Sequence, residues 1–288
     1  MPLHFGLIGD PIEHSLSPLI HNTSFRALGI DATYSLLEVP DHDVPSAIRS
    51  FKNLGIAGIN VTMPYKRAVL PALHELTPTA ELAQSVNTVA FRDNQIIGHS
   101  TDGLGMLKPL RDAGIDLSHE HILILGSGGA GTSVALAAAQ SGARRVTLMN
   151  REGAGLERAH RLAARIRELP DESCTIGVVP LATTVETERC ARDATVILNC
   201  TSAGMNPNPH ATPVPAEWLS NRHVVMDAVY TPRVTQFLRD ASVAGARTFD
   251  GLSMLVAQAA LAEEFWLECT MPTEYVIEEL GKSAQFSL

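Results

Sequence analysis

The chain has 288 residues, a length that predicts two domains or one large α/β unit, with a net charge of −9 at pH 7 and 45% hydrophobic residues. This balance excludes a wholly disordered chain. No dense Lys and Arg cluster suggests nucleic-acid binding, no apolar run suggests a membrane span, and no signal peptide is recognisable. The four cysteines lack metal-binding spacing, so we expect free thiols, no metal site and a cytoplasmic location.

Short apolar strands alternate with helical patterns along the chain, which is typical of an α/β fold with mostly parallel strands. Strands are predicted at His4–Ile8, Thr33–Val39, Gly58–Val61, Val86–Phe91, Ile122–Leu125, Val146–Met149, Ile176–Val179, Val196–Asn199, Val224–Asp227 and Arg247–Phe249. The clearest helical patterns are Pro18–Leu28, Val44–Leu54, Leu104–Ala113, Thr132–Ser141 and Leu252–Leu267. We expect a domain boundary near residue 102, where a nucleotide-binding pattern begins, and a second near Gly251.

Two serines, Ser15 and Ser17, precede the first helical pattern. Ser17 stands directly before Pro18, so its structural alternative is the N-cap of that helix. Ser15 has no such alternative. Two hydroxyls two residues apart can both point into one cleft and donate to a carboxylate.

The segment Asn60-Val-Thr62-Met-Pro64-Tyr-Lys66 is predicted to end one strand and to begin a helix. Lys66 would then lie in the first helical turn, where the helix dipole disfavours a cation. Such a position suits an acid/base group. A surface lysine is the alternative.

Two further polar residues in this half have both structural and functional interpretations. Asn87 interrupts the predicted strand Val86–Phe91, where an amide is often only a hydrogen-bonded core group. Asp102 precedes the helical pattern Leu104–Ala113, so it is either the helix N-cap or a carboxylate at the domain junction beside a cofactor.

The segment Gly126-Ser127-Gly128-Gly129-Ala130-Gly131 matches the G-x-G-x-x-G fingerprint of dinucleotide-binding loops. A strand precedes it, and a helix rich in small residues follows it. In this context the glycines permit a tight turn, close approach of a pyrophosphate and close packing of helix on strand. The helix N-terminus would then face the anion with its unpaired N–H groups.

The end of the next strand bears on the choice of cofactor. NAD sites usually place an acid there, whereas this strand ends in Asn150-Arg151. Arg151 can hold a 2′-phosphate, which favours NADP. Glu152 follows at once and would repel that phosphate or bind ribose hydroxyls, so NAD stays open.

Two polar residues in the last third of the chain also suggest ligand contacts. Tyr230 follows the predicted strand Val224–Asp227, and strand ends are where α/β clefts bind ligands. Gln258 lies within an apolar helical pattern, and a buried glutamine needs a partner.

Taken together and in order, these segments resemble the shikimate dehydrogenase family over nearly the whole chain. The matching segments are Gly9-Asp-Pro-Ile-Glu-His-Ser15-Leu-Ser17-Pro-Leu-Ile-His21, Asn60-Val-Thr-Met-Pro-Tyr-Lys66, Val86-Asn87-Thr88, Ser100-Thr-Asp102-Gly103, Gly126–Gly131, Asn150-Arg151, Asn199-Cys-Thr-Ser202 and Asp250-Gly-Leu-Ser-Met-Leu-Val-Ala-Gln258. The resemblance implies an N-terminal α/β substrate domain (residues 1–102 plus 252–288, completed by C-terminal helices) and a Rossmann-type NAD(P)-binding domain (residues 103–251). It also implies reversible, NADP-linked interconversion of 3-dehydroshikimate and shikimate.

The resemblance implies a role for each matching site residue. Lys66 and Asp102 would form the catalytic pair and also contact the substrate, and Ser15 with Ser17 would bind its carboxylate. Residues implied at the ring hydroxyls are Asn60, Thr62, Asn87, Asp102 and Gln258, with Tyr230 lining the cleft. Residues implied at the cofactor are Gly126, Ser127, Gly128, Gly129, Ala130, Gly131, Asn150, Arg151, Glu152, Thr201, Ser202, Ala228 and Gly251, the last four near the nicotinamide.

The chain departs from the common biosynthetic pattern after Asn150-Arg151, where Glu152 replaces a small hydroxyl residue. This resembles quinate/shikimate members that use NAD or both cofactors, so quinate remains an alternative substrate. A non-catalytic sensor is disfavoured because both Lys66 and Asp102 are present, and a folate dehydrogenase would not share Ser15-Leu-Ser17 or Gln258. A homodimer stays open, since the sequence does not fix the oligomeric state.

Overall fold

The computed structural model of the chain describes residues 2–39, 43–169, 174–182 and 184–282. The strands are β1 (Leu3–Ile8), β2 (Ala32–Leu36), β3 (Gly58–Val61), β4 (Glu75–Leu76), β5 (Thr88–Arg92), β6 (Gln95–His99), β7 (His121–Leu125), β8 (Arg145–Asn150), β9 (Thr175–Pro180), β10 (Val196–Asn199), β11 (Val224–Asp227) and β12 (Arg247–Phe249). The α-helices are α1 (Ser17–Leu28), α2 (Val44–Asn53), α3 (Pro78–Ala83), α4 (Asp102–Asp112), α5 (Gly129–Gln140), α6 (Ala154–Arg167), α7 (Val185–Asp193), α8 (Gln236–Val243), α9 (Gly251–Leu267) and α10 (Thr273–Lys282). Short 3₁₀ turns lie at Leu70–Ala72, Leu117–His119 and Ala216–Trp218.

The chain folds into two compact units, one formed by Met1–Thr101 with Val256–Leu288 and the other by Asp102–Leu255. The C-terminal segment therefore returns to the first unit. Helix α9 begins in the second unit and continues in the first. Each unit is built on its own six-stranded sheet.

The sheet of the first unit is mixed, with the order β2-β1-β3-β5-β6-β4. Strand β1 pairs in parallel with β2 and β3, whereas β5 is antiparallel to both β3 and β6. A two-residue turn reverses the chain between β5 and β6, and its residues Asp93 and Asn94 both adopt left-handed backbone angles, with φ of 49° and 61°. A buried apolar cluster that includes Ile8, Ile59 and Val89 covers the sheet.

The pairing brings several chain segments to one edge of this sheet. The parallel strands β1 and β3 both end there, and the register pairs Asn60 with Thr88 and Thr88 with His99. The start of β5 and the end of β6 therefore lie at the edge where β3 ends. Polar residues that follow β1, β3 and β6, or precede β5, are brought together by this topology.

The sheet of the second unit is wholly parallel, with the order β12-β11-β10-β7-β8-β9. Counted from β7, this is the 3-2-1-4-5-6 order of dinucleotide-binding folds. Helices cover both faces of such sheets, so central strands are apolar throughout. In β7, Ile122, Leu123 and Ile124 are all fully buried.

All ten predicted strands are present, and four have the predicted bounds: β3, β10, β11 and β12. The prediction missed the short strand β4 and strand β6. The predicted helix beginning at Thr132 in fact begins at Gly129, so the last three residues of the glycine-rich loop form its first turn. The prediction of an α/β fold with mostly parallel strands is confirmed.

Candidate active site

The two serines after β1 form a hydroxyl pair. The Ser15 hydroxyl donates to the Ser17 hydroxyl at 3.2 Å and accepts the Ser17 backbone N–H at the same distance. Ser17 is the first residue of α1, and Leu16 occupies the N-cap position without a side-chain cap. The alternative of Ser17 as an N-cap is therefore wrong, and its buried hydroxyl is oriented by Ser15 instead.

The segment that carries Thr62 and Lys66 leaves β3 as a series of turns, not as a helix. The predicted helix is wrong, because residues 63–69 form turns that lead into the 3₁₀ turn Leu70–Ala72. Since Lys66 is not in a helix, the expected effect of a helix dipole on this lysine does not apply. The Lys66 backbone carbonyl accepts the N–H of Val86 at 2.9 Å. This bond holds the half-buried Lys66 next to Val86, the residue that precedes Asn87 in the sequence.

Asn60, at the edge where β3 ends, is buried and its amide orientation is fixed. Its Nδ2 group donates to the Asn87 carbonyl and to the Thr88 hydroxyl, both at 3.1 Å. Its Oδ1 accepts the Tyr34 hydroxyl at 2.7 Å. Both amide hydrogens are thus used within the protein, and the remaining acceptor site of Oδ1 is what a ligand hydroxyl could use.

Asn87 lies directly before β5 and joins three parts of the first unit. Its Nδ2 donates to the Thr101 hydroxyl at 2.8 Å and to Oε1 of Gln258 at 3.3 Å. Its Oδ1 accepts the Thr101 backbone N–H at 2.8 Å and the Thr88 hydroxyl at 3.1 Å. Sequence correctly suggested a hydrogen-bonded amide, but the predicted position inside a strand is wrong by one residue. The bonds tie Gln258 of α9 to the sheet edge.

Asp102 is the first residue of α4. Its side chain is buried, and a carboxylate in the first turn is favoured by the helix dipole. Asp102 belongs to the second unit, and its pairing with Lys66 stays a prediction.

The glycine-rich loop between β7 and α5 has the geometry of an anion-binding turn. Gly126 has a φ of 95°, and a Cβ on Gly131 would overlap the Gly126 carbonyl oxygen. Gly128 occupies the N-cap position of α5, and a Cβ there would meet no atom within 4 Å. The loop therefore leaves room for a phosphate in front of a helix N-terminus, and these residues fit a bound dinucleotide.

Two partly buried hydrogen bonds join this loop to the end of β8 and the start of α6. Asn150 Nδ2 donates to the Ser127 hydroxyl at 2.6 Å, and that hydroxyl donates to the Gly155 carbonyl at 2.8 Å. The Ser127 side chain is thus occupied within the protein. Arg151 and Glu152 follow as exposed residues of the turn before α6, where either charge can meet a ligand.

A buried network holds the ends of β10 and β11. Asp227 accepts hydrogen bonds from Asn199 Nδ2 at 2.8 Å, from the Val229 N–H at 2.9 Å and from the Thr235 hydroxyl at 2.7 Å. Asn199 Oδ1 accepts the backbone N–H of Thr201 at 3.0 Å and its hydroxyl at 2.6 Å. Burial raises the pKa of Asp227 to about 6, although the three hydrogen bonds oppose the shift.

The network also orders the remaining residues predicted at the cofactor. The exposed Ser202 follows Thr201, and the Ala228 N–H donates to the Asn199 carbonyl at 2.9 Å. Gly251 packs so closely on the backbone of Val229 that a Cβ would overlap it. Tyr230 follows in the same segment, and burial raises the pKa of its hydroxyl.

Two residues that the sequence analysis passed over are central to these networks, Tyr34 and Asp227. Tyr34 could have been suspected as the only aromatic hydroxyl in a predicted strand. Asp227 could have been suspected as a carboxylate ending an otherwise apolar strand. Neither signal shows which partners the residue will have.

Among the described residues, no group of three or more His, Cys, Asp and Glu side chains is arranged to hold a metal ion. Within the same residues, no helix is both long and apolar enough to cross a membrane. All four cysteines are free thiols.

Comparison with known proteins gives the family. The model of the shikimate dehydrogenase substrate binding domain matches residues 7–89, and that of the shikimate 5′-dehydrogenase C-terminal domain matches residues 251–280. The chain is 40% identical to a shikimate dehydrogenase (NADP(+)) of Methanopyrus kandleri over 278 residues, which cover 95% of this chain and 93% of that protein. The chain belongs to the shikimate dehydrogenase family. The predicted enzyme class, an oxidoreductase acting on a secondary alcohol, is confirmed.

Solved structures of family members have the same fold. Shikimate 5-dehydrogenase of Listeria monocytogenes, in complex with shikimate and NAD, has a TM-score of 0.91 and 34% identity, covering 97% of this chain and 96% of that chain. Quinate dehydrogenase of Corynebacterium glutamicum, in complex with NAD, has a TM-score of 0.85 and 28% identity, covering 98% and 99%.

Proposed function

We propose that the chain is an NADP-dependent shikimate dehydrogenase, which interconverts 3-dehydroshikimate and shikimate in aromatic amino-acid biosynthesis. The observation that carries this proposal is the set of hydroxyl, amide and lysine side chains at one sheet edge of the first unit. It occurs in a chain that is 40% identical to a relative named for this activity and for NADP. The first unit with the C-terminal helices binds the substrate, and the second binds the cofactor.

The polar groups of the first unit match an acidic, polyhydroxylated ring. Ser15 and Ser17 donate to the substrate carboxylate. Asn60 offers an acceptor to a ring hydroxyl, and Asn87 offers an N–H donor when its long bond to Gln258 is exchanged. The remaining residues assigned to the hydroxyls are Thr62, Asp102 and Gln258, and Tyr230 lines the cleft.

Lys66 and Asp102 are assigned the proton chemistry. Oxidation of a secondary alcohol removes the hydroxyl proton while the bound NADP accepts a hydride at its nicotinamide ring, and reduction reverses both. Lys66 is the group that exchanges this proton, and Asp102 holds the lysine in position. Both also orient the reacting hydroxyl.

The second unit supplies the cofactor site. The loop containing Gly126, Ser127, Gly128, Gly129, Ala130 and Gly131 would hold the pyrophosphate at the N-terminus of α5. The residues assigned to the nicotinamide side are Thr201, Ser202, Ala228 and Gly251. Asn150 braces the loop, and Arg151 is assigned to the 2′-phosphate of NADP, with Glu152 as the charge that opposes it.

The NAD-preferring quinate dehydrogenase is not favoured as an alternative. Its support is Glu152 and the similarity to the Corynebacterium glutamicum enzyme, at 28% identity. The relatives that are 36–40% identical are named for shikimate and NADP(+). We further propose that the enzyme acts in the cytoplasm on small molecules, apart from nucleic acid and membranes, with a homodimer as the candidate assembly.

A steady-state assay that crosses shikimate and quinate with NADP and NAD tests the function. We expect kcat/KM for shikimate with NADP to exceed the other three values at least tenfold. If kcat/KM is instead highest for quinate with NAD, the enzyme is a quinate dehydrogenase of quinate catabolism.

Substitution of Lys66 tests the mechanism in the same assay. Lys66→Ala should lower kcat by about 100-fold or more while KM for shikimate changes far less, because general acid–base catalysis contributes about that much. Lys108→Ala, at a lysine paired with Asp112 on α4, is the matched control and should keep full activity. A tenfold rise in KM with kcat intact would refute the proposed role of Lys66.

A further inference from the structure

The first unit contains a fully buried histidine–carboxylate pair that the proposed mechanism does not use. His21 of α1 and Glu263 of α9 are both 0% exposed, and Nδ1 of His21 lies 2.7 Å from Oε1 of Glu263. The other carboxylate oxygen accepts the Ser24 hydroxyl at 2.6 Å. A carboxylate only accepts hydrogen bonds, so Nδ1 is the protonated ring nitrogen.

Stability alone is a poor explanation for this pair. The free energy lost when two polar side chains are removed from water is about as large as the free energy gained from their attraction. Apolar residues of the same size often stabilise a core equally well. Moreover, His21 Nε2 is buried and finds no hydrogen-bond partner among the described residues. A fixed orientation of the ring is the property that the pair provides and that apolar packing would not.

The oriented ring supports Tyr34. The His21 and Tyr34 rings stack with centroids 4.3 Å apart and planes 15° apart. The Tyr34 hydroxyl donates to Oδ1 of Asn60 at 2.7 Å, and the Ser17 side chain is near enough to lower its pKa. The Tyr34 hydroxyl is therefore bonded to an asparagine assigned to a ring hydroxyl and neighbours a serine assigned to the substrate carboxylate.

We propose that Glu263 and His21 are positioning residues of the substrate site, which act through Tyr34 to hold Ser17 and Asn60 in their binding orientation. This inference rests on the proposed function. Under this proposal α9 contributes two residues to the substrate site: Gln258, which contacts the substrate, and Glu263, which positions other residues.

The electrostatics of Tyr34 agree with this arrangement. Burial and the charge of Glu263 raise the pKa of Tyr34, against the lowering effect of the neighbouring Ser17 hydroxyl. The hydroxyl therefore keeps its proton and remains the donor to Asn60. That bond and the two donated by Asn60 prevent the amide from flipping, so its free acceptor site always faces the same way.

The test compares the full-length wild type with Glu263→Met, Tyr34→Phe and the double variant. We expect each single change to raise KM for shikimate at least fivefold, with kcat and KM for NADP within twofold of wild type, because uniform substrate binding is lost. Since both changes break the same chain of contacts, the double variant should be within twofold of the worse single variant. Glu264→Met, at the exposed neighbour on α9, is the matched control and should match wild type.

A conservative variant and a milder one complete the test. Glu263→Gln can still accept from His21 through Oε1 and can donate to the Ser24 hydroxyl through Nε2, so it should restore KM to within twofold of wild type. Ser24→Ala removes one bond to Glu263 and should raise KM two- to threefold, which keeps the test decisive if Glu263→Met fails to fold. Unchanged KM in the variants, or independent effects that multiply in the double variant, would overturn the inference alone. A wild type without shikimate activity would overturn the proposed function as well.

Discussion

At the scale of single residues, the glycine-rich loop separates what folding requires from what a ligand requires. Gly126 needs its positive φ, and Gly131 packs against the Gly126 carbonyl, so the fold accounts for both. Gly128 is different, because its φ of −73° suits any residue and a Cβ there would meet nothing. The fold alone does not require glycine at this position, whereas a closely approaching pyrophosphate does.

Gly128→Ala should therefore leave stability unchanged and weaken NADP binding at least tenfold. The added methyl group has open space in the free protein but stands where the phosphate must approach. Thermal unfolding and calorimetric titration with NADP measure the two quantities. Gly281→Ala in α10, where a Cβ also meets nothing, is the control and should keep NADP affinity. Unchanged NADP affinity in Gly128→Ala would place the pyrophosphate elsewhere.

Asp227 gives a prediction about pH at the same scale. Burial raises its folded-state pKa from 3.8 to about 6, so the folded protein binds a proton more tightly than the unfolded chain. A raised pKa contributes stability that is fully present below about pH 4 and is lost as pH rises through 6.

We expect the free energy of unfolding of the wild type, relative to Asp227→Asn, to fall by about 2.4 kcal/mol between pH 4 and pH 7. The asparagine does not titrate, so the difference between the two proteins isolates this one group from all others. Urea unfolding at several pH values measures it. A difference that stays constant with pH would show that folding does not raise the pKa of Asp227.

At the scale of elements, the hairpin of β5 and β6 decides the shape of the first sheet. Its turn places Asp93 and Asn94 in left-handed conformations, with φ of 49° and 61°. Asn and Asp tolerate such angles better than other residues with a side chain. The turn thus returns the chain as β6, which brings Thr101 to Asn87.

Substitutions at Asn94 should affect stability through the turn alone. Asn94→Val should lower the free energy of unfolding by about 1–2 kcal/mol, because a β-branched residue is strained at positive φ. Asn94→Gly should be neutral or slightly stabilising. Gln95→Val, at the first residue of β6, is the control, since valine suits an extended strand. Equal effects of valine at both positions, measured by urea unfolding, would refute the turn argument.

This hairpin also shows where prediction from sequence stops. Continuous apolar runs such as Ile122–Leu125 identify parallel strands, since both sheet faces bury them. Strand β6 carries Gln95, Gly98 and His99 within five residues, so its pattern is too weak to detect. Strand β6 is recognisable only from its pairing with β5, and this pairing is seen only in the folded chain.

In the candidate site, too, some features can be predicted from the sequence and others cannot. Side chains such as Ser15 and Asn87 could be selected because polar groups at strand ends meet at a sheet edge. Lys66 stays a predicted site residue, but it lies in a series of turns and not on the predicted helix. The contacts of Tyr34 with Ser17 and Asn60 join strands and loops far apart in sequence, and no local pattern encodes them.

At the scale of the whole molecule, the two units differ in how the chain builds them. The first unit needs both ends of the chain, whereas the second is the continuous segment Asp102–Leu255. That segment contains its own parallel sheet and a buried cluster that includes Trp218 and Phe237. Its networks around Ser127 and Asp227 are also formed entirely within it.

The isolated segment 102–255 should therefore fold and bind NADP, with a Kd within tenfold of the full-length value and without turnover of shikimate. Circular dichroism should show one cooperative unfolding transition, and saturating NADP at about 100 times Kd should stabilise it by about 2.7 kcal/mol. At the same NADP concentration, Gly128→Ala in this segment should lower that stabilisation to about 1.4 kcal/mol or less while the fold persists, which separates a folding failure from a binding failure. A folded segment that does not bind NADP would mean that residues of the first unit complete the cofactor site. An unfolded segment would mean that the second unit depends on the rest of the chain, despite its continuous sequence.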